Sequence, residues 1–371
     1  MHILLLANSS FKLVNFRAGL IQRLLEEGHQ LTAVAPRDAH SDQLEAWGLR
    51  YVDLPMNATG TSPIKELGLL LRIARIIRRE RPDAILGYTI KPNIYGALSA
   101  RLTGIPFLPN VTGLGTAFDH DGFFSRLIKT LYRAAFRRCP RVFLQNPEDR
   151  DVFLHAGLIA PEQAFLLPGS GVDLKAFSTE PLPGKGGQQT FLLVARMLRE
   201  KGVIEFVEAA RKVAKTHPQA RFLLLGPFGE GKAGGLERDE IAALTADGVV
   251  EHLGAVKDVR PALSQADCVV LPSYYREGTP RSLLEAAAKG RPIITTHMPG
   301  CKDVVEPGKN GYLVNPRDSD SLAEAMTQFL DLDDDARVEM GKASRSRMET
   351  RFDEQIVIDA YLEALTLPLH K

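Results

Sequence analysis

Apolar runs of strand length alternate with helical or turn-rich stretches along nearly the whole chain, and this alternation restricts it to one class of fold. In the first half the runs are His2–Ala7, Leu31–Ala35, Arg50–Asp53, Ala84–Gly87, Phe107–Asn110, Val142–Gln145 and Phe165–Leu167. In the second half they are Phe191–Ala195, Arg221–Gly226, Val249–Leu253, Cys268–Pro272, Pro292–Thr296 and Gly311–Val314. Such runs read as parallel strands covered on both faces by crossover helices, so the expected class is α/β with doubly wound parallel sheets. The pattern breaks once, at the Pro- and Gly-rich stretch Pro168 to Gln189, and then repeats. That places a first domain at residues 1–170, a linker at 171–189 and a second domain at 190–350. The chain ends in a helical segment, residues 351–371, with Ile356–Leu365 as its amphipathic piece. Two similar domains facing a cleft are expected, and 371 residues suffice for two cores.

Composition excludes several classes of function. The net charge of +1 leaves no global footprint for nucleic acid, although residues 1–170 hold 20 Lys/Arg against 15 Asp/Glu, making the first half basic. Cys139, Cys268 and Cys301 lie far apart and lack ligand spacing, so neither a disulfide framework nor a zinc site is expected, and a reducing cytoplasm fits. Met1 to Ala7 has no basic flank and reads as a strand rather than a signal peptide. The longest uncharged stretch, Leu102 to Phe118, carries two prolines and three glycines and is no membrane span. The first strand leads into Asn8-Ser9-Ser10-Phe11, without the Gly-x-Gly-x-x-Gly of a nicotinamide dehydrogenase.

The chemistry concentrates in Glu277-Gly278-Thr279-Pro280-Arg281-Ser282-Leu283-Leu284-Glu285, which follows the Cys268–Pro272 strand. Thr279 and Pro280 read as the N-cap and first residue of a helix whose free N–H groups suit a diphosphate. Glu285 then lies about 7 to 8 Å further along the axis, within reach of a second polar part of the same ligand. Upstream, Arg196 and Lys201 stand where the Phe191–Ala195 strand gives way to a helix, so both junctions should face one cleft. Taken singly, each residue is as readily a surface charge or a satisfied ion pair as a ligand contact. Gly226-Pro227-Phe228-Gly229 is either a phosphate cradle or a plain turn. Asp331, Asp333, Asp334 and Asp335 read as the cap of the next helix rather than a metal site. His120, between Asp119 and Asp121, reads as a solvated loop.

In this order the pieces resemble the retaining glycosyltransferases of family 4, with the two-Rossmann-domain GT-B architecture. The resemblance runs through Gly171-Val172-Asp173, Ala195-Arg196, Glu200-Lys201-Gly202, Gly226, His252-Leu253-Gly254, Leu271-Pro272-Ser273, the Glu277–Glu285 segment and Asn310-Gly311. The first half is similar to members acting on polyprenyl-diphosphate-linked sugars, through Asn8-Ser9-Ser10, Asn15-Phe16-Arg17, Lys91-Pro92-Asn93 and Val111-Thr112-Gly113-Leu114-Gly115. The resemblance implies transfer of a hexose or N-acetylhexosamine from a UDP-sugar to a lipid-linked sugar in polysaccharide or glycan assembly. It implies catalytic roles for Arg196, Lys201 and Glu277. Donor contacts would come from Gly226, Gly254, Gly278, Thr279, Pro280, Ser282, Leu283 and Glu285. Acceptor contacts would come from Asn8, Lys91, Thr112 and Gly113. No cofactor or metal is expected. Many relatives carry a glycine pair where this chain has Asn8-Ser9-Ser10 and a His where it has Thr112, so a role for that His does not carry over.

Two basic amphipathic stretches, Phe123 to Arg138 and Ile64 to Arg81, read either as helices packed on a sheet or as a surface for an anionic membrane at the cytoplasmic face. Two other functions compete with transfer. One is a sugar-nucleotide epimerase or hydrolase of the same shape, which needs no lipid acceptor; the other is a non-catalytic sugar-nucleotide-binding subunit.

Overall fold

The computed structural model describes residues 1–57, 62–114, 123–184 and 187–367. The chain forms two compact units, Met1–Ser170 with Glu354–Lys371, and Gly171–Asp353.

Unit 1 begins β1 (His2–Leu6), α1 (Ser10–Glu26), β2 (Gln30–Ala35), α2 (Ser41–Ala46), β3 (Arg50–Asp53), α3 (Pro63–Glu80) and β4 (Ala84–Tyr88). It continues α4 (Ile90–Thr103), β5 (Phe107–Val111), α5 (Phe123–Phe136), β6 (Val142–Leu144), α6 (Pro147–His155) and β7 (Ala164–Leu166). The strands pair in the order β3-β2-β1-β4-β5-β6-β7, all parallel. Successive side chains of a strand face opposite ways, so β1 feeds two cores. Ile3 and Leu5 pack with Leu13 and Ile21 of α1, whereas Leu4 and Leu6 pack with Leu69 and Ile73 of α3.

Unit 2 runs β8 (Thr190–Val194), α7 (Val203–Ala214), β9 (Arg221–Leu225), α8 (Arg238–Leu244), β10 (Val250–His252), α9 (Arg260–Ser264) and β11 (Cys268–Leu271). It ends α10 (Arg281–Ala288), β12 (Ile293–Thr296), β13 (Gly311–Val314), α11 (Ser319–Leu330) and α12 (Asp334–Arg347). Its sheet is also parallel, in the order β10-β9-β8-β11-β12-β13. The last helix, α13 (Glu354–Thr366), returns to unit 1 and sets Tyr361 in the α1-side core.

The stretch read as a linker is in part core. Val172 is wholly buried, Phe177 packs in the same cluster, and the Val172 N–H bonds the Phe352 carbonyl at 2.9 Å. Prolines and glycines there mark turns, and turn chemistry does not imply exposure. The acidic cluster caps a helix, as expected: Asp333 accepts from the Ala336 N–H at 2.7 Å at the start of α12.

Candidate active site

In each sheet the strand order reverses beside the first strand of its unit, and open parallel sheets bind ligands at such points. In unit 2 the reversal lies between β8 and β11. The chain leaving β8 supplies Arg196 and Lys201; the chain leaving β11 supplies Ser273 and Glu277. These two connections are stitched together. The Glu200 carbonyl accepts the Tyr274 N–H at 3.0 Å, and Ser273 Oγ lies 3.1 Å from the same oxygen. At Gly202, with φ of 75°, a Cβ would sit 2.2 Å from the Pro272 carbonyl oxygen, so only glycine allows this approach.

Lys201 Nζ sits 2.5 Å from Glu277 Oε1, with both side chains about six-sevenths buried at 15% and 14% exposure. Ser273 Oγ is also within 2.9 Å of that carboxylate oxygen, fixing its position. Arg196, by contrast, is exposed and pairs with no carboxylate among the described residues. The site therefore holds one neutralised cation and one available cation.

Helix α10 starts one residue later than the sequence suggests. Pro280 is its cap residue, with ψ of 118°, and its carbonyl accepts from Leu283 at 3.1 Å and Leu284 at 3.3 Å. Thr279 before proline is free to be an extended cap, but Pro280 is itself extended rather than helical, so the first turn begins at Arg281. The Leu283 side chain is wholly buried in the core and its N–H is taken by the Pro280 carbonyl. Glu285 does not stand free: Oε1 accepts from Arg281 Nε at 2.8 Å, one turn back. Burial raises the Glu285 carboxyl above its usual range, against the opposing pull of Arg281.

Two supports of the site carry no signal in the sequence. Gly300, φ 79°, lies so close to the Gly278 carbonyl that a Cβ would fall 1.5 Å from its oxygen. Thr295 Oγ1 donates to the Leu271 carbonyl at 2.7 Å, tying β12 to β11. The buried Cys301 thiol is pushed up to about 12, first by burial and then by Glu277, so it is an inert neighbour of the pair. Gly226, φ 148°, is needed for packing, since a Cβ would lie 1.8 Å from the Ala195 carbonyl oxygen; Gly254 has open space around it.

In unit 1 the reversal lies between β1 and β4, where Leu6 pairs with Gly87. Asn8 follows β1 and Thr89 follows β4, so both leave adjacent strand ends. Thr112 is exposed after β5, followed by Gly113 with φ of 109°. Lys91, an expected acceptor contact, follows Thr89 in the first turn of α4. Its side chain pairs with α3, with Nζ 2.6 Å from Glu66 Oε1 and 2.7 Å from the Asn57 carbonyl. Its partner stands 25 residues upstream in sequence, and strand-to-helix spacing gives no sign of such a pairing. Gly115 and His120 lie outside the described residues, as does Gly186 of the linker reading.

The basic helices separate. Helix α5 buries Ile128, Tyr132 and Phe136 against the sheet, which is the packed reading. Helix α3 buries Leu69, Ile73 and Ile77, yet leaves Ile64, Leu67 and Leu71 at 84%, 57% and 55% exposure beside exposed Arg72, Arg75 and Arg78. No helix among the described residues is long and apolar enough to cross a membrane.

Comparison with known proteins points the same way. Residues 2–146 match the family model of glycosyl transferase 4-like domains, and residues 176–347 that of glycosyl transferases group 1. The chain is 26% identical, over 98% of both chains, to the N,N'-diacetylbacillosaminyl-diphospho-undecaprenol alpha-1,3-N-acetylgalactosaminyltransferase of Campylobacter jejuni. It is also 26% identical to the Escherichia coli UDP-Gal:alpha-D-GlcNAc-diphosphoundecaprenol alpha-1,3-galactosyltransferase, over 76% of this chain and 75% of that one. Among solved structures it resembles Anabaena Alr3699/HepE in complex with UDP and glucose, with TM-score 0.80, 20% identity and 99% of both chains covered.

Proposed function

We propose that this chain, a GT-B glycosyltransferase by both of its domains, moves a hexose or N-acetylhexosamine from a UDP-sugar to a polyprenyl-diphosphate-linked sugar, with retention at the anomeric carbon. The observation that carries this reading is the cluster at the β8/β11 reversal, where Arg196 and the Lys201–Glu277 pair share a strand-end site with the start of α10. Breaking the sugar–phosphate bond places charge on the departing UDP, and fixed positive potential lowers that barrier. Arg196 and the first N–H groups of α10 supply it, with Lys201 held beside them by Glu277 as a donor to the diphosphate, so the transfer runs without a metal. The bond from the anomeric carbon to UDP oxygen breaks as the bond to the acceptor oxygen forms on the same face. The acceptor's proton passes to the leaving diphosphate, and Glu277 steadies charge at the sugar. The UDP bound by the Anabaena neighbour and the diphosphoundecaprenol acceptors in the relatives' names support this choice of substrates.

The test is a screen of purified protein with several UDP-sugars and polyprenyl-diphosphate sugars, read by mass spectrometry. Addition of one sugar mass to the acceptor, dependent on UDP-sugar, is the expected result. UDP-sugar consumed equally without acceptor favours the epimerase or hydrolase, and binding without turnover the non-catalytic subunit.

Glu285 gives a proton-linked prediction. Burial holds its carboxyl above the ordinary value of 4.5, so the folded protein keeps that proton to higher pH than the unfolded chain does, and this contribution to stability is lost as pH rises through the raised value. Ribose hydroxyls donating to the carboxylate favour the ionised form instead. UDP binding in mildly acidic solution should therefore release protons, seen as a calorimetric enthalpy that varies with the buffer's ionisation enthalpy. Glu285→Gln should remove that variation; a wild-type enthalpy indifferent to buffer removes Glu285 from the ribose.

The acceptor is a membrane lipid in this reading, and α3 is the helix that meets the anionic face, through Ile64, Leu67 and Leu71 with arginines alongside. Reversing Arg72, Arg75 and Arg78 to Glu should abolish binding to vesicles rich in anionic lipid. Unchanged binding removes α3 from the membrane.

A further inference from the structure

The strongest unexplained charge in unit 1 is Arg17, in the second turn of α1. Only 5% of its surface is exposed, and no carboxylate pairs with it among the described residues. Its guanidinium lies 4.7 Å from the centroid of the Tyr88 ring and donates one hydrogen bond, from Nη1 to the neighbouring Phe16 carbonyl at 3.2 Å. A buried cation is ordinarily paired, because desolvation of the charge outweighs what a single aromatic face returns. Tyr88 is the last residue of β4 at the sheet reversal, and the next residue is Thr89.

Thr89 is the second irregularity. It caps α4, a helix of 14 residues, in a backbone conformation of φ 74° that non-glycine residues rarely adopt. Its Oγ1 is buried without a hydrogen-bond partner, and Asn8 Oδ1, at the adjacent strand end, is likewise enclosed and unpartnered. An amide can present either of its ends, so Asn8 offers a donor as readily as an acceptor. The guanidinium lies against the last residue of β4, the unused hydroxyl is on the next residue, and the unused amide follows the strand paired with β4, at the end of the sheet where the start of α4 also offers free N–H groups.

We propose that Arg17, with Thr89 and Asn8, forms a diphosphate-binding site in unit 1 that takes the acceptor's diphosphate; this rests on the lipid-linked reading above. The arginine is kept unpaired because its counter-ion arrives with the substrate. Its planar fork suits phosphate oxygens better than the Lys91 ammonium, which Glu66 already neutralises.

The test uses inorganic pyrophosphate as probe, with UDP at saturation to occupy the donor site. Wild-type protein should bind pyrophosphate under these conditions; Arg17→Gln should weaken that binding about 10- to 100-fold, and Arg17→Lys less. No wild-type binding, or binding indifferent to Arg17→Gln, overturns the site, whatever the acceptor screen returns. In turnover, Arg17→Gln should raise KM for a diphosphate-linked acceptor by a similar factor while the donor KM holds. An equal loss with a neutral alkyl-glycoside acceptor, or a rise in donor KM instead, also overturns it. Removing an uncompensated buried charge should not lower the melting temperature, so a marked fall would assign Arg17 to the scaffold.

Discussion

Arg196→Ala is expected to lower kcat about 10²- to 10³-fold, the range for removing one preorganised charge-stabilising donor, while the melting temperature stays within a degree or two. Both halves of the expectation come from its surroundings. The side chain is exposed and pairs with no carboxylate among the described residues, so its truncation leaves no buried group unsatisfied and no cavity. In the proposed reaction it removes positive potential beside the departing UDP, which matters more in the transition state than in the bound substrate; kcat should fall more than donor KM rises. Lys201→Ala is a less clean measurement. That lysine is paired at 2.5 Å with Glu277, so its loss also strands a largely buried carboxylate and mixes stability with catalysis. The kinetic constants with a fixed UDP-sugar, read beside a thermal unfolding curve, decide the matter: a near-normal kcat removes Arg196 from the mechanism.

The strands were legible because parallel strands buried on both faces are apolar at nearly every position, and the observed edges fall within about a residue of the runs read from sequence. Arg196, Lys201 and Glu277 were legible for the same reason. Once the strands are known, topology carries the residues after β8 and β11 to the same point of reversal. What stayed hidden depends on partners distant in sequence. Lys91 is turned by Glu66 and Arg17 is left without a carboxylate among the described residues, and neither state shows in local pattern. Glu285 had its partner in plain view at Arg281, in the i, i+4 spacing of helical ion pairs, and a closer reading of that spacing finds it. In α5 the i, i+4, i+8 spacing of Ile128, Tyr132 and Phe136 does mark one apolar face, but local pattern does not say whether that face meets the sheet or a membrane, and the packing decides for the sheet.

Gly300→Ala should be the most damaging single-methyl change at the unit 2 site. The added Cβ would fall 1.5 Å from the Gly278 carbonyl oxygen and 2.9 Å from that of Glu277. Both are backbone atoms that cannot swing aside as a side-chain tip can, so the Glu277–Thr279 segment must move bodily. We expect a loss of stability of about 3 kcal/mol or more, combining left-handed strain with forced displacement. UDP should bind more weakly as well, because that segment holds Glu277 against Lys201 and leads into α10. Gly308→Ala supplies the control. Its φ of 77° nearly equals the 79° of Gly300, but a Cβ there meets nothing within 4 Å. It should therefore show the backbone strain alone, about 1 kcal/mol, with UDP affinity intact. The difference between the two variants in chemical denaturation isolates the close approach of the two loops. If Gly300→Ala proves no worse than Gly308→Ala, that contact does not hold Glu277 in place, and the geometry of the Lys201–Glu277 pair must rest on Ser273 and the Glu200–Tyr274 bond instead.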